Sequence, residues 1–154
     1  MDRKSLDDRF DFATGLIKEA GALALGHFRN RDALVIKSKG LQDMASQADM
    51  ATEVLIRDAL RARFPGDGFL GEETGRGELG SATCIWVVDP IDGTQPFVHG
   101  LSSWCVSIAL LVDGAIEMGM VFAPARDELF TGRRGGAALL NGAPIKVANV
   151  ESIP

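Results

Sequence analysis

Trp86-Val87-Val88-Asp89-Pro90-Ile91-Asp92-Gly93-Thr94 is the stretch on which the reading of this chain turns. Three β-formers run straight into two carboxylates, followed by glycine and threonine. A hydrophobic strand ending in acidic residues and a tight turn delivers charge to a sheet edge, where a ligand can reach it. Pro90 lacks a backbone donor, so the strand is expected to stop there, with Asp89 at its last regular position. Gly93 allows a sharp bend, and Thr94 can cap a short following helix or offer its hydroxyl to a ligand. The chemistry suits hard cations and phosphate.

Upstream, Phe69-Leu70-Gly71-Glu72-Glu73-Thr74-Gly75 repeats the device in miniature: a short apolar strand running into carboxylates and glycine. Arg76 to Thr83 reads as a flexible surface loop between the two. Before them a helix is expected from near Ser46 to Phe64. Ala51, Leu55, Ala59 and Leu60 would face inward, and Glu53, Arg57, Asp58 and Arg61 outward. Ser46-Gln47-Ala48-Asp49 fits the capping-box pattern, which gives Asp49 a structural reason to exist. Leu34-Val35-Ile36 reads as a short strand and Lys37 to Gly40 as a loop. An earlier amphipathic helix spans about Leu6 to Phe28, with Phe10, Ala13, Ile17, Ala20, Ala24 and Phe28 on one stripe. Gly15, Gly21 and Gly26 weaken its propensity, so close packing has to hold it. His27 falls near its last carbonyls.

Downstream the pattern becomes antiparallel sheet. Cys105 to Val112 and Ala115 to Phe122 form a hairpin about Asp113-Gly114. A turn at Pro124 to Asp127 leads to a short strand near Leu129-Phe130. Ala137 to Leu140 and Ile145 to Val147 flank a second turn at Asn141-Gly142. The fold class is therefore α+β, two N-terminal helices packed on a largely antiparallel sheet.

At 154 residues the chain is one domain with room for a core, and its 46% hydrophobic content is that of a globular protein. A net charge of −5 without a dense basic cluster argues against nucleic acid as partner. Arg133-Arg134 reads as a solvated turn. No apolar run approaches the ~20 residues of a membrane span, and the N-terminus is too charged for a signal peptide. Cys84 and Cys105 lack metal-ligand spacing and read as reduced core residues of a cytoplasmic protein.

Glu72, Asp89 and Asp92 are the candidate constellation. Carboxylates at the ends of two adjacent strands are oxygen ligands for Mg²⁺ or Mn²⁺, and without cations they would repel one another. The amides of Gly93 and Thr94, at an expected helix start, suit a phosphate oxygen. Asp-Pro and Asp-Gly are also ordinary turn formers. Two acidic turns, each fed by an apolar strand, favour a site.

The stretch from Trp86 to Thr94 closely resembles the signature of the inositol monophosphatase family of Mg²⁺-dependent, lithium-sensitive phosphatases. Phe69 to Glu73 resembles that family's glutamate motif, and Ala48-Asp49 its aspartate motif. All three agree in order and spacing, and the sheet through Leu140-Asn141-Gly142 is similar too. The resemblance implies the first half of an αβαβα phosphatase fold, an N-terminal metal- and phosphate-binding domain over residues 1–154 with the C-terminal half absent. Glu72, Asp89 and the carbonyl of Ile91 would hold one ion, and Asp89 with Asp92 a second. Thr94 and Asp49 would orient and help deprotonate the attacking water, with Glu72 also counted among the catalytic residues. Asp92, Gly93 and Thr94 would meet the substrate. A cytoplasmic homodimer hydrolysing a small phosphorylated alcohol, inositol monophosphate first, is the implied whole.

Gln95-Pro96 departs from the family pattern beside the site, and the family's later Trp-Asp-x-Ala-x-Gly motif has no match here. Histidinol phosphate, fructose bisphosphate or a 3′-phosphoadenosine nucleotide are alternative substrates, and a non-catalytic regulatory module keeping the fold is the rival class. Haloacid dehalogenase-like phosphatases carry a similar Asp-x-Asp-Gly-Thr motif. The two residues between Asp89 and Asp92 spoil that geometry.

Overall fold

Among the described residues, two long helices cover one face of an eight-stranded mixed sheet. The computed structural model describes residues 2–30, 41–78 and 82–148. Helix α1 (Arg3–Arg29) is somewhat longer than its apolar spacing predicts. Asp2 caps it by accepting the Ser5 amide at 2.7 Å. Its buried stripe is Ala13, Leu16, Ile17, Ala20, Gly21 and Ala24. Gly21 is there for contact, since a Cβ would overlap the Phe122 ring. Gly15 and Gly26 meet nothing comparable.

Helix α2 (Leu41–Arg63) starts well before Ser46. Ser46 to Asp49 therefore lies inside the helix, and the capping-box reading is wrong. The buried stripe is also rotated from the expected one. Ala45, Ala48, Asp49, Thr52, Glu53, Ile56 and Leu60 are buried, whereas Ala51, Leu55 and Ala59 are only partly so. Three polar side chains occupy the inner stripe, and apolar spacing alone assigns them outward. Glu53, expected in solvent, is fully buried. The strand and loop expected over 34–40 lie outside the described residues.

The sheet runs in the order β2 (Gly75–Glu78), β1 (Gly68–Gly71), β3 (Cys84–Asp92), β4 (Cys105–Val112), β5 (Ala115–Ala123), β6 (Glu128–Arg133), β7 (Leu139–Leu140) and β8 (Ala143–Pro144). All neighbours are antiparallel except β1 and β3, which run parallel. Part of the expected 76–83 loop is thus strand, drawn into extended form by pairing with β1. The last strand falls at Ala143–Pro144 rather than 145–147. Both hairpin turns form as expected, with positive φ at Asp113 (51°), Gly114 (78°), Asn141 (49°) and Gly142 (82°).

Period-two burial decides which face meets the helices. Trp86 and Val88, Val106, Ile108 and Leu110, Met118, Met120 and Phe122, and Leu129 all point into the helix-covered core. Their alternates on the opposite face are mostly partly exposed. One polar knot ties the layers together. Asp67 accepts Arg9 Nε and Nη2 at 2.8 Å each, and the indole N–H of buried Trp86 at 3.0 Å. Arg133 and Arg134 are not a free solvated turn. Arg133 ends β6, pairs with Asp7 at 2.6 Å and stacks over Phe10, and Arg134 bonds Glu117 and the Ile116 carbonyl. No described helix is long and apolar enough to cross a membrane.

Candidate active site

Parallel pairing of β1 with β3 sets Gly71 opposite Val88, and the Glu72 amide donates to the Val88 carbonyl at 3.2 Å. Glu72 therefore leaves its strand beside Asp89, close enough for its carboxyl group to raise that of Asp89. The sequence pattern placed these two acids at adjacent strand ends, and the structure brings them together there.

Pro90 does not stop the strand. Strand β3 continues to Asp92, with Asp89 opposite Ser107 and Asp92 opposite Cys105. Three residues advance on β3 while two advance on β4, so Pro90-Ile91 carries one extra residue as a bulge. In a regular strand, residues three apart point to opposite faces. The bulge restores the phase, placing Asp89 and Asp92 on one face while Pro90 and Ile91 are both buried. Cys105, expected in the core, is half-buried and donates its thiol to Asp92 Oδ2 at 3.9 Å. Burial first, then the charges of Asp92 and Asp89, push that thiol up to about 11.

Gly93 turns the chain with φ of 95°, and a Cβ there would come within 2.9 Å of the Ser103 carbonyl. Helix α3 (Thr94–Val98) follows. The Thr94 hydroxyl donates to the Ile91 carbonyl at 3.3 Å, so the threonine and the backbone oxygen singled out in the sequence are partners of each other.

Asp49 reaches the cluster from α2 and is only 5% exposed. Its carboxyl is raised from 3.8 to about 7, chiefly by burial and then by the charges of Glu73, Glu72, Asp89 and Glu53. Asp89 is raised to about 7 by burial, then by its hydrogen bond and charge interaction with Glu72, then by Asp92. One oxygen of each, Asp49 Oδ1 and Asp89 Oδ1, is buried without a hydrogen-bond partner among the described residues. Two residues escaped the sequence reading. Glu73 faces Asp49 closely enough to be its largest charge neighbour. Glu53 accepts the Glu73 amide at 2.8 Å and the Thr74 amide at 2.9 Å. The available signal was its spacing, four residues after Asp49 and hence on the same helix face.

Orphaned carboxylate oxygens whose protonated forms are favoured fit a hard divalent cation, which would replace the proton. The donor chemistry fits as well: carboxylates from Glu72, Asp89 and Asp92 beside a backbone carbonyl and a hydroxyl. Among the described residues no three acidic, histidine or cysteine side chains already converge as a ligand group for a metal ion. A cavity of about 310 Å³ adjoins it, lined by Asp92, Gly93, Ser103, Trp104 and Cys105 among others. A larger one of about 480 Å³, between α1 and the β6–β7 corner, contains none of these acids.

The inositol monophosphatase family model covers residues 5–154, and the chain belongs to that family. It is 40% identical over 138 residues to a histidinol-phosphatase of Chlorobaculum parvum, an alignment spanning 90% of this chain and 52% of that protein. It is 38% identical over 156 residues to an inositol monophosphatase of Dictyostelium discoideum, spanning 99% and 57%. The crystal structure of inositol monophosphatase-II from Staphylococcus aureus MSSA476 superposes with a TM-score of 0.80 at 32% identity, over 94% of this chain and 52% of that one. The chain spans about half the length of the curated relatives it matches.

Proposed function

We propose that this chain carries the metal- and water-handling part of a Mg²⁺-dependent phosphatase acting on a small phosphate monoester, inositol monophosphate first, with Mn²⁺ as a substitute ion. Glu72, Asp89, Asp92 and the Ile91 carbonyl would hold the cations. Bound there, divalent cations would neutralise phosphate charge and acidify water. Asp49 and Thr94 would hold the attacking water, Asp49 as proton acceptor and Thr94 through its hydroxyl, which would first give up the Ile91 carbonyl. Asp92, Gly93 and Thr94 would line the phosphate position. The observation that carries this reading is the pair of buried, partnerless oxygens on Asp49 and Asp89, each belonging to a carboxyl raised to about 7.

The names of the relatives support two substrate classes, an inositol phosphate and histidinol phosphate. The test is release of inorganic phosphate from inositol monophosphate, histidinol phosphate and fructose bisphosphate, with and without Mg²⁺, by this chain and by Asp89→Asn. Metal-dependent release that Asp89→Asn abolishes is the expected result. Release unaffected by chelator would refute the reading.

A further inference from the structure

Glu53 is a fully buried acid in the middle of α2, with no cation among its hydrogen-bond partners in the described residues. Its two carboxylate oxygens accept two consecutive backbone amides, those of Glu73 and Thr74. Those amides belong to the turn that leaves β1, immediately after Glu72. The neighbouring strand residue is shaped to admit this carboxylate, because a Cβ on Gly71 would overlap it. A buried acid would be costly in this place unless both of its oxygens were satisfied. Here the two amides satisfy both.

We propose that Glu53 is a positioning residue: its carboxylate clamps the Glu73–Thr74 turn from beneath α2 and so sets Glu72 against Asp89. The chain of contacts is short. Glu53 fixes the two amides after Glu72, the Glu72 amide is fixed to the Val88 carbonyl, and together these bonds hold the root of the Glu72 side chain beside Asp89. Gly71 and Glu53 form one unit, the glycine leaving room for the acid that orders the turn. Partners that orient a metal-binding carboxylate typically change affinity by about 10–100-fold when removed. The inference rests on the cation reading of Glu72 and Asp89.

The test uses the full chain with Mn²⁺ as probe. Glu53→Gln keeps the volume but replaces one acceptor with an NH₂ group facing a backbone N–H, which breaks one of the two bonds. In the wild type, the Glu73 and Thr74 amides should exchange slowly although they lie in a surface turn. In Glu53→Gln they should exchange faster while β4 and β5 are unchanged, and Mn²⁺ should bind about 10–100-fold more weakly. In a Glu72→Gln background the same substitution should cost no further affinity, because Glu53 acts through Glu72. A purely structural role would lower the melting temperature and leave the Mn²⁺ affinity of the folded chain unchanged. Equal affinity of wild type and Glu53→Gln, or additive losses with Glu72→Gln, would overturn the proposal while leaving the cation reading intact. Wild type that binds no Mn²⁺ would overturn both. If Glu53→Gln does not fold, the wild-type exchange rates decide: Glu73 and Thr74 amides as fast as those of the Asp113-Gly114 turn would overturn the clamp.

Discussion

Asp89 and Asp92 share one face of β3 although they lie three positions apart, because the bulge at Pro90-Ile91 shifts the strand by one. This phase shift gives the two carboxylates a common face beside Glu72. It costs the sheet a regular ladder step at its functional end, and bulges commonly re-aim side chains at such places.

The clustering has a measurable cost in the metal-free chain. Asp49 and Asp89 titrate near 7 in the folded state against 3.8 as ordinary aspartates. Between those values the folded chain holds protons that the unfolded chain has released, so stability falls as pH rises. Their contribution is full below about 4 and lost as pH passes through about 7. In chelator, the melting temperature should therefore decline across this window. Asp89→Asn should flatten the decline, and should melt higher than wild type at pH 8. A wild-type profile that climbs through the same range, with Asp89→Asn parallel to it, would contradict the assignment.

Removing the polar knot beneath the sheet should be expensive. Asp67→Ala leaves the Arg9 guanidinium and the Trp86 indole N–H without their shared acceptor. The Arg9 and Asp67 side chains are only 13% and 5% exposed, so the loss falls in the range of a broken buried pair, about 3–5 kcal/mol. Chemical denaturation should show it as a lower midpoint with an unchanged slope. A loss below about 1 kcal/mol, the size of a surface pair, would contradict the burial argument.

The β7–β8 turn is tied to the start of β6 through Asn141. Its side chain accepts the Leu129 amide at 2.8 Å and donates to the Asp127 carbonyl at 2.9 Å, from a backbone φ of 49°. Asn141→Ala loses both bonds and strains the backbone, for about 1–3 kcal/mol. Asn141→Gly should recover part of that loss by relieving the strain alone. Equal melting of the two variants would show that φ contributes nothing.

The sheet was legible where local chemistry decides structure. Asp113-Gly114 and Asn141-Gly142 demand left-handed turns, and alternation in Cys105 to Val112 marks its buried face. Glu72 and Asp89 were legible because each follows an apolar run into a glycine-bearing turn. What escaped depended on partners distant in sequence. Gly75 to Glu78 has little strand propensity and is extended by β1. Pro90 reads as a stop, yet the bulge absorbs its missing donor. Glu53 looks like a solvent residue until the Glu73 and Thr74 amides are placed against it. The stripe of α2 was misread for a related reason: its inner face carries Asp49, Thr52 and Glu53, which break the apolar period.

If the cluster of Asp49, Glu72 and Asp89 holds divalent cations, protons and cations compete for it. Calorimetric titration of the full chain with Mg²⁺ at pH 7, in buffers of different ionisation enthalpy, measures the protons released per ion bound. Binding with net proton release at pH 7, a smaller release at pH 9, and neither in Asp89→Asn is the expected result. Mg²⁺ binding without proton release at pH 7, or undiminished binding in Asp89→Asn, would contradict it.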